Sequence, residues 1–123
     1  MGRVLFVDDN IDLHRLMQAL LRVAGHESVC VDSGKAALEK MRTAAPDVVL
    51  LDLMMPGLSG IDVLHEARGD ARTAKLPIIM YSGVSDERKI RECLDAGANE
   101  FWVKGNFDFE ELKARLDRYV PAT

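Results

Sequence analysis

Five short apolar runs punctuate the chain, at Val4 to Val7, Ser28 to Val31, Val48 to Leu51, Ile78 to Tyr81 and Phe101 to Val103. Each has the length of a β-strand. The longer stretches between them follow a helical period: Leu13, Leu16, Met17, Leu20 and Leu21 reproduce the i, i+3, i+4, i+7, i+8 stripe of a helix that buries one face. Ile90, Cys93 and Leu94 repeat that stripe, as do Leu112, Leu116, Tyr119 and Val120. Helix boundaries are marked as well. Ser59 with Asp62 and Asp108 with Glu111 have capping-box spacing, while Gly25 and Gly97 stand where helices should end.

The pattern is β then α, repeated five times. Parallel neighbours need a crossover, so this alternation predicts an α/β fold, a doubly wound (βα)5 parallel sheet with helices on both faces. Val48-Val49-Leu50-Leu51 and Ile78-Ile79-Met80 are apolar without a break, as expected of central strands covered on each side. No linker, repeat or low-complexity segment interrupts the series. Residues 1–120 are expected to form one domain, with Pro121, Ala122 and Thr123 a frayed end or the start of a linker.

Composition narrows the function. The chain has 123 residues, with 16 Lys and Arg against 20 Asp and Glu and a net charge of -4, so nonspecific attraction to nucleic acid or anionic lipid is not expected. Cys30 and Cys93 lack any C-x-x-C spacing and read as small buried hydrophobes. The first apolar run is too short for a signal peptide or a membrane span, and Phe6 stands where a myristoylation signal needs Ser or Thr. These features point to a cytoplasmic protein.

In open α/β sheets ligands bind beyond the carboxyl ends of the strands, where the strand order reverses. Asp8 and Asp9 follow the first run, Asp52 the third and Ser82 the fourth, and Lys104 lies at the end of the last. Three crowded carboxylates repel unless a cation joins them, and oxygen-only ligands suit a hard divalent ion such as Mg²⁺. Lys104 and Ser82 would supply the charge and hydroxyl that a transferring phosphoryl group needs. A carboxylate is also a competent nucleophile toward phosphorus. Asp52 is the candidate, because it stands alone after a buried strand while Asp8 and Asp9 are adjacent and placed to share a metal. Each piece has a plainer reading alone: an Asp pair can merely cap a helix, and Asp52 ahead of Met55-Pro56-Gly57 can merely open a turn. Their coincidence at four strand ends favours a site.

Four segments carry a family resemblance: Val4-Leu5-Phe6-Val7-Asp8-Asp9-Asn10, Val48 to Gly60 with Asp52 inside it, Pro77 to Gly83 with Ser82 inside it, and Ala96 to Lys104. In this order and spacing the chain resembles a response-regulator receiver domain of two-component signalling, the family of the bacterial chemotaxis regulator. The resemblance implies flavodoxin-like strand order 2-1-3-4-5. It also implies that a sensor histidine kinase, or a histidine phosphotransfer protein, donates phosphoryl to Asp52. Asp9, Asp52 and the backbone carbonyl of Met54 would then bind Mg²⁺ directly, and Asp8 through water. Ser82 and Lys104 would contact the phosphoryl oxygens. Ser82 and Phe101 would be the switch, reshaping the face made by the fourth helix, fifth strand and fifth helix. That face would meet a downstream protein, a fused output domain or, on phosphorylation, a second copy of the chain. Apart from self-phosphorylation and self-dephosphorylation, no enzyme activity is implied.

Three positions depart from the family. Gly105 stands where Pro usually follows the Lys, and Phe101 replaces the commoner Tyr. Met54 and Val84, two residues beyond Asp52 and Ser82, are apolar where the family tunes water attack on the acyl phosphate, which predicts slow self-dephosphorylation. His14, His26 and His65 read as surface residues away from the acidic strand ends. Trp102 should face opposite to Phe101, against the first or fifth helix.

The rival readings are weaker. A haloacid-dehalogenase-type Mg²⁺ phosphohydrolase wants Asp-x-Asp, whereas Asp8-Asp9-Asn10 offers Asn at the third place. Flavin binding of the flavodoxin type needs a Ser/Thr-rich first loop, and an acidic one would repel the phosphate. A receiver-shaped docking module without phosphotransfer would not need the complete set of site residues.

Overall fold

The apolar runs become the strands of the computed structural model, which describes residues 2–83, 86–104 and 108–120. Elements alternate as β1 (Arg3–Val7), α1 (Ile11–Val23), β2 (Glu27–Val31), α2 (Gly34–Thr43), β3 (Val48–Asp52), α3 (Gly60–Gly69), β4 (Ile78–Ser82), α4 (Glu87–Asp95), β5 (Glu100–Val103) and α5 (Phe109–Asp117). The strands form one parallel sheet in the order β2-β1-β3-β4-β5. After β1 the chain adds β2 on one side and β3 on the other, so the order reverses between β1 and β3. That is where the acids stand.

Alternation along the strands divides the interior into two layers. Val4, Phe6, Val48, Leu50, Ile79 and Trp102 pack with Met17 and Leu21 of α1 and with Leu112 and Leu116 of α5. Leu5, Val7, Val49, Leu51, Ile78 and Met80 pack with α2, α3 and α4. Strands β3 and β4 are buried along their whole length, as continuous apolar runs should be, whereas β2 is a half-buried edge. Phe101 and Trp102 take opposite faces, and Trp102 lies against α1 and α5.

Helix ends follow the local chemistry. Ser59 and Asp62 form a complete capping box, and Asp108 accepts a hydrogen bond from the Glu111 N–H. Gly25 and Gly97 have φ of 87° and 109°, left-handed conformations that let α1 and α4 stop where the next strand must begin. The last turn of α3 carries Arg68, whose guanidinium donates to the carbonyls of Gly97, Thr73, Ala74 and Leu76 and to Asn99 Oδ1. One side chain thereby ties α3 to the loops that flank β4. Among the described residues no helix is long and apolar enough to cross a membrane.

Some expected core positions lie outside. Leu16 is 55% exposed. At roughly 100° per residue it sits about 120° round the helix from the line between Met17 and Leu21 that meets the sheet, so the five-residue stripe is wider than the buried arc. Leu94 is exposed for the same reason, because Cys93 holds the inward direction on α4. Cys93 is buried, but Cys30 is only half-buried because it lies on the edge strand. His26 is also a correction. Rather than facing solvent it is 7% exposed, accepting from the Gly2 N–H at Nδ1 and pairing through Nε2 with Asp117 at 3.0 Å, because the start of β2 packs under the end of α5. His65 is exposed, as expected. Val84, Gly105 and residues 121–123, on which expectations were placed, lie outside the described residues.

Candidate functional site

The residues at the carboxyl ends of the strands are sorted by strand parity. Asp8 lies one residue past β1, Asp52 ends β3 and Lys104 lies one residue past β5, each an even step from Phe6, Leu50 and Trp102. All three therefore project on the α1 and α5 side. Ser82 ends β4 and is in step with Met80, so it shares the opposite layer with Phe101, which packs half-buried on the α2, α3 and α4 side. The carboxylates and ammonium thus gather on one side of the sheet edge, and the two residues expected to switch gather on the other.

The acidic group is tight. Asp8, Asp9 and Asp52 can each place a carboxylate oxygen within 4.8 Å of the other two, with Asp8 and Asp52 buried and Asp9 exposed. Lys104 Nζ donates to Asp8 Oδ2 at 3.0 Å and stands 3.6 Å from Asp52 Oδ2. Asp8 Oδ1 accepts from the Asn10 N–H at 2.8 Å, which fixes the loop entering α1. Asp52 Oδ1 accepts from the Met54 N–H at 3.3 Å, while the Met54 side chain is exposed. Ser82 is buried at the end of its strand, and its carbonyl accepts from the Lys104 N–H at 2.7 Å.

Close packing behind Asp52 is enforced by Gly60, where a Cβ would lie 2.2 Å from the Asp52 carbonyl oxygen. The first turn of α3 can therefore lie directly on the end of β3.

Electrostatics follow from this geometry. Burial pushes the Asp52 carboxyl up to about 6, with the charges of Asp8 and Asp9 adding to the rise and Lys104 and the Met54 N–H opposing it. For Lys104, burial works against the charge, but the Asp8 hydrogen bond and the nearby carboxylates outweigh it and hold the ammonium above its ordinary value. The residues fit a hard cation: the donors are oxygen only, two of the carboxylates are buried side by side, and the third reaches them from the loop. One ammonium does not neutralise three carboxylates.

Two further neighbours border the site that sequence reasoning missed. His14, expected on the surface, turns its Nε2 to the Asp8 carbonyl at 2.7 Å and sets its ring edge against Phe6 at 5.8 Å between centroids. A signal for it exists in the sequence: helix side chains tilt toward the N-terminus, and a residue four after the N-cap Asn10 reaches back over the end of β1. Tyr81 is the second. It is the register partner of Asp52, and its ring lies beneath Lys104 Nζ at 5.2 Å. Strand parity places it there.

The chain matches the family described as Response regulator receiver domain over residues 4–117. The DNA-binding response regulator MtrA of Mycobacterium tuberculosis is 37% identical over 114 residues, which cover 93% of this chain and 48% of that protein. The chain thus spans about half the length of such curated relatives. Among solved structures, the chemotaxis protein CheY4 of Vibrio cholerae superposes with a TM-score of 0.88 at 31% identity, covering 98% of this chain and 99% of that one. The receiver domain of the sensor histidine kinase PA1611 from Pseudomonas aeruginosa, which has a magnesium ion coordinated in its active-site cleft, superposes with a TM-score of 0.86 at 28% identity, covering 96% of each chain. With the strand order 2-1-3-4-5 and the acidic strand ends, these matches establish that the chain belongs to the response regulator receiver domain family of two-component systems.

Proposed function

We propose that the domain is a phosphorylation-controlled switch in which Asp52 accepts a phosphoryl group from a sensor histidine kinase or a histidine phosphotransfer protein. The observation that carries this reading is the setting of Asp52: its side chain is 5% exposed, its oxygen lies 3.6 Å from Lys104 Nζ, and Asp8 and Asp9 stand beside it. Family membership supports it further, since receiver domains are signalling domains rather than general enzymes.

In this reading an Asp52 carboxylate oxygen attacks the phosphorus of a phosphohistidine. The P–N bond breaks, the imidazole departs and takes up a proton, and an acyl phosphate remains on Asp52. A raised pKa makes the carboxylate more basic and so a better nucleophile, provided it is ionised. Asp9, Asp52 and the Met54 carbonyl would hold Mg²⁺ directly and Asp8 through water; when bound, the ion would neutralise charge on the transferring phosphoryl oxygens. Lys104, released from part of its pairing with Asp8 and Asp52, turns its ammonium to the phosphoryl group. Ser82 donates its hydroxyl to another phosphoryl oxygen from the opposite side of the strand end. Because Ser82 and Phe101 share one layer, a shift of Ser82 toward the phosphate frees space on the side where Phe101 is only half-buried. Inward rotation of Phe101 then alters the face of α4, β5 and α5, which would meet a downstream protein, an output domain or a second copy. We place this chemistry in the cytoplasm.

Beryllofluoride with Mg²⁺, a non-covalent mimic of the aspartyl phosphate, tests the reading. Wild type should change its Trp102 emission and the amide signals of α4 and β5, and Asp52→Asn should not. A wild type that shows no change, or a change that survives Asp52→Asn, would leave a docking module as the better description.

A further inference from the structure

We infer that His14 is a positioning residue for the acidic pocket, acting through the peptide that joins Asp8 to Asp9. This inference rests on the proposed Mg²⁺-dependent phosphoacceptor role of the pocket. Its basis is geometric. The ladder between β1 and β3 ends at the pair Val7 and Leu51, so the Asp8 carbonyl lies beyond the last paired residue of β1. His14 Nε2 meets it at 2.7 Å, in the donor role because a carbonyl can only accept. The ring is held for this task. Its edge-on contact with Phe6, at 79° between planes, fixes it against a fully buried side chain, and its backbone belongs to α1, whose N-cap is Asn10.

That carbonyl belongs to the one peptide plane between the two acids. Asp8 is anchored at its side chain by Lys104 and the Asn10 N–H, whereas Asp9 is exposed and reaches the other carboxylates from the loop. The tilt of the intervening plane therefore decides where the Asp9 carboxylate points. Without His14 the plane is free to tilt toward water, and the three-oxygen cluster loses its most exposed member. The hydrogen bond is a small restraint on the fold but a direct one on convergence, so its loss should fall on cation affinity rather than on global stability.

Titration of the full chain with Mg²⁺ alone, followed by calorimetry and by Trp102 emission, reads this out, with urea unfolding of the Mg²⁺-free protein as the structural control. His14→Phe keeps the ring against Phe6 and removes the donor; His14→Leu removes both in a good helix former. His14→Gln restores an N–H of similar reach. Both donor-less variants should bind Mg²⁺ about tenfold more weakly, the low end of the range seen when groups that orient metal ligands are lost, and His14→Gln should return to within about twofold of wild type. Two results would overturn the inference: donor-less variants that bind as tightly as wild type, or a His14→Gln that is as weak as His14→Phe at equal stability. A wild type with no Mg²⁺ affinity would instead remove the proposed function itself, and this inference with it.

Discussion

Asp52 should make the Mg²⁺-free fold less stable, and its replacement by Asn should reveal how much. Unfolded, its carboxyl titrates near ~4; folded, burial and the neighbouring acids hold it at about 6. Between those values the native state keeps a proton that the unfolded chain has released, so stability falls as pH rises across that window. About two pK units at about 1.4 kcal/mol each give a cost of up to roughly 3 kcal/mol at pH ~8. The carboxyl lies at a strand end beside the exposed Asp9, and solvent screening and local relaxation there bring the working figure to about 2 kcal/mol. In the Asp52→Asn variant the amide would keep an oxygen for the Met54 N–H, and Lys104 would keep Asp8 at 3.0 Å, so the substitution removes the charge while leaving the main contacts in place. Urea unfolding with EDTA, followed through Trp102, should find Asp52→Asn more stable than wild type by about 2 kcal/mol at pH ~8. The gap should halve near pH ~5 and close below pH ~4. Mg²⁺ should narrow it from the other side, since ligand at a hundredfold excess over the wild-type Kd adds about 2.7 kcal/mol to wild type and less to the weaker-binding variant. A gap that stays constant with pH, or an Asp52→Asn that is less stable at pH ~8, would refute the argument.

Other perturbations reach other parts of the structure. Gly60→Ala puts a Cβ against the Asp52 carbonyl and should cost about 2 kcal/mol or more in urea unfolding, with slower phosphorylation by acetyl phosphate because the end of β3 must move. Equal stability and equal rate would contradict the close approach of α3. Arg68→Ala removes donors from four carbonyls and Asn99 and should destabilise by about 2–4 kcal/mol, while leaving Mg²⁺ affinity within about twofold. Arg68→Lys, lacking the planar fork, should recover less than half of that. Finally, if the apolar Met54 and Val84 slow water attack as the family resemblance implies, a phosphoryl group placed on Asp52 should persist for minutes or longer in a radiolabel chase; a lifetime of seconds would remove the idea.

The parts of this molecule that can be read from the sequence are those set by period. Alternation places Phe101 and Trp102 on opposite faces, and the unbroken runs of β3 and β4 announce burial on both sides. The acids can be found because strand ends in a parallel sheet converge at one edge, so a position along the chain is also a position in space. What escapes is whatever depends on a third dimension that period does not carry. Leu16 lies within the stripe but outside the arc that α1 buries, since a single helix lying across a sheet edge meets it along a narrower line than its apolar face. His26 looks like a loop residue until α5, ninety-one positions later, closes over it and supplies Asp117. His14 reads as a surface residue because it sits on a helix, although its tilt carries the ring back to β1.

The charge balance at the strand ends connects fold to function. Three carboxylates beside one ammonium leave a deficit of two positive charges when all are ionised, the charge of one divalent ion. Without an ion, protonation of Asp52, the group already driven toward about 6, reduces this deficit. Proton and metal ion therefore compete for the same imbalance, and a protonated Asp52 is also a poor nucleophile. Acidification through pH ~6 should accordingly weaken Mg²⁺ binding and phosphorylation together, whereas Asp52→Asn, which removes one of the carboxylates, should leave a weaker Mg²⁺ affinity that no longer follows that step. The instability stored in Asp52 and its proposed reactivity toward phosphorus would then have one cause. A carboxylate held at the end of a fully buried strand, among its own kind, would be relieved by a cation and would react most readily in its company.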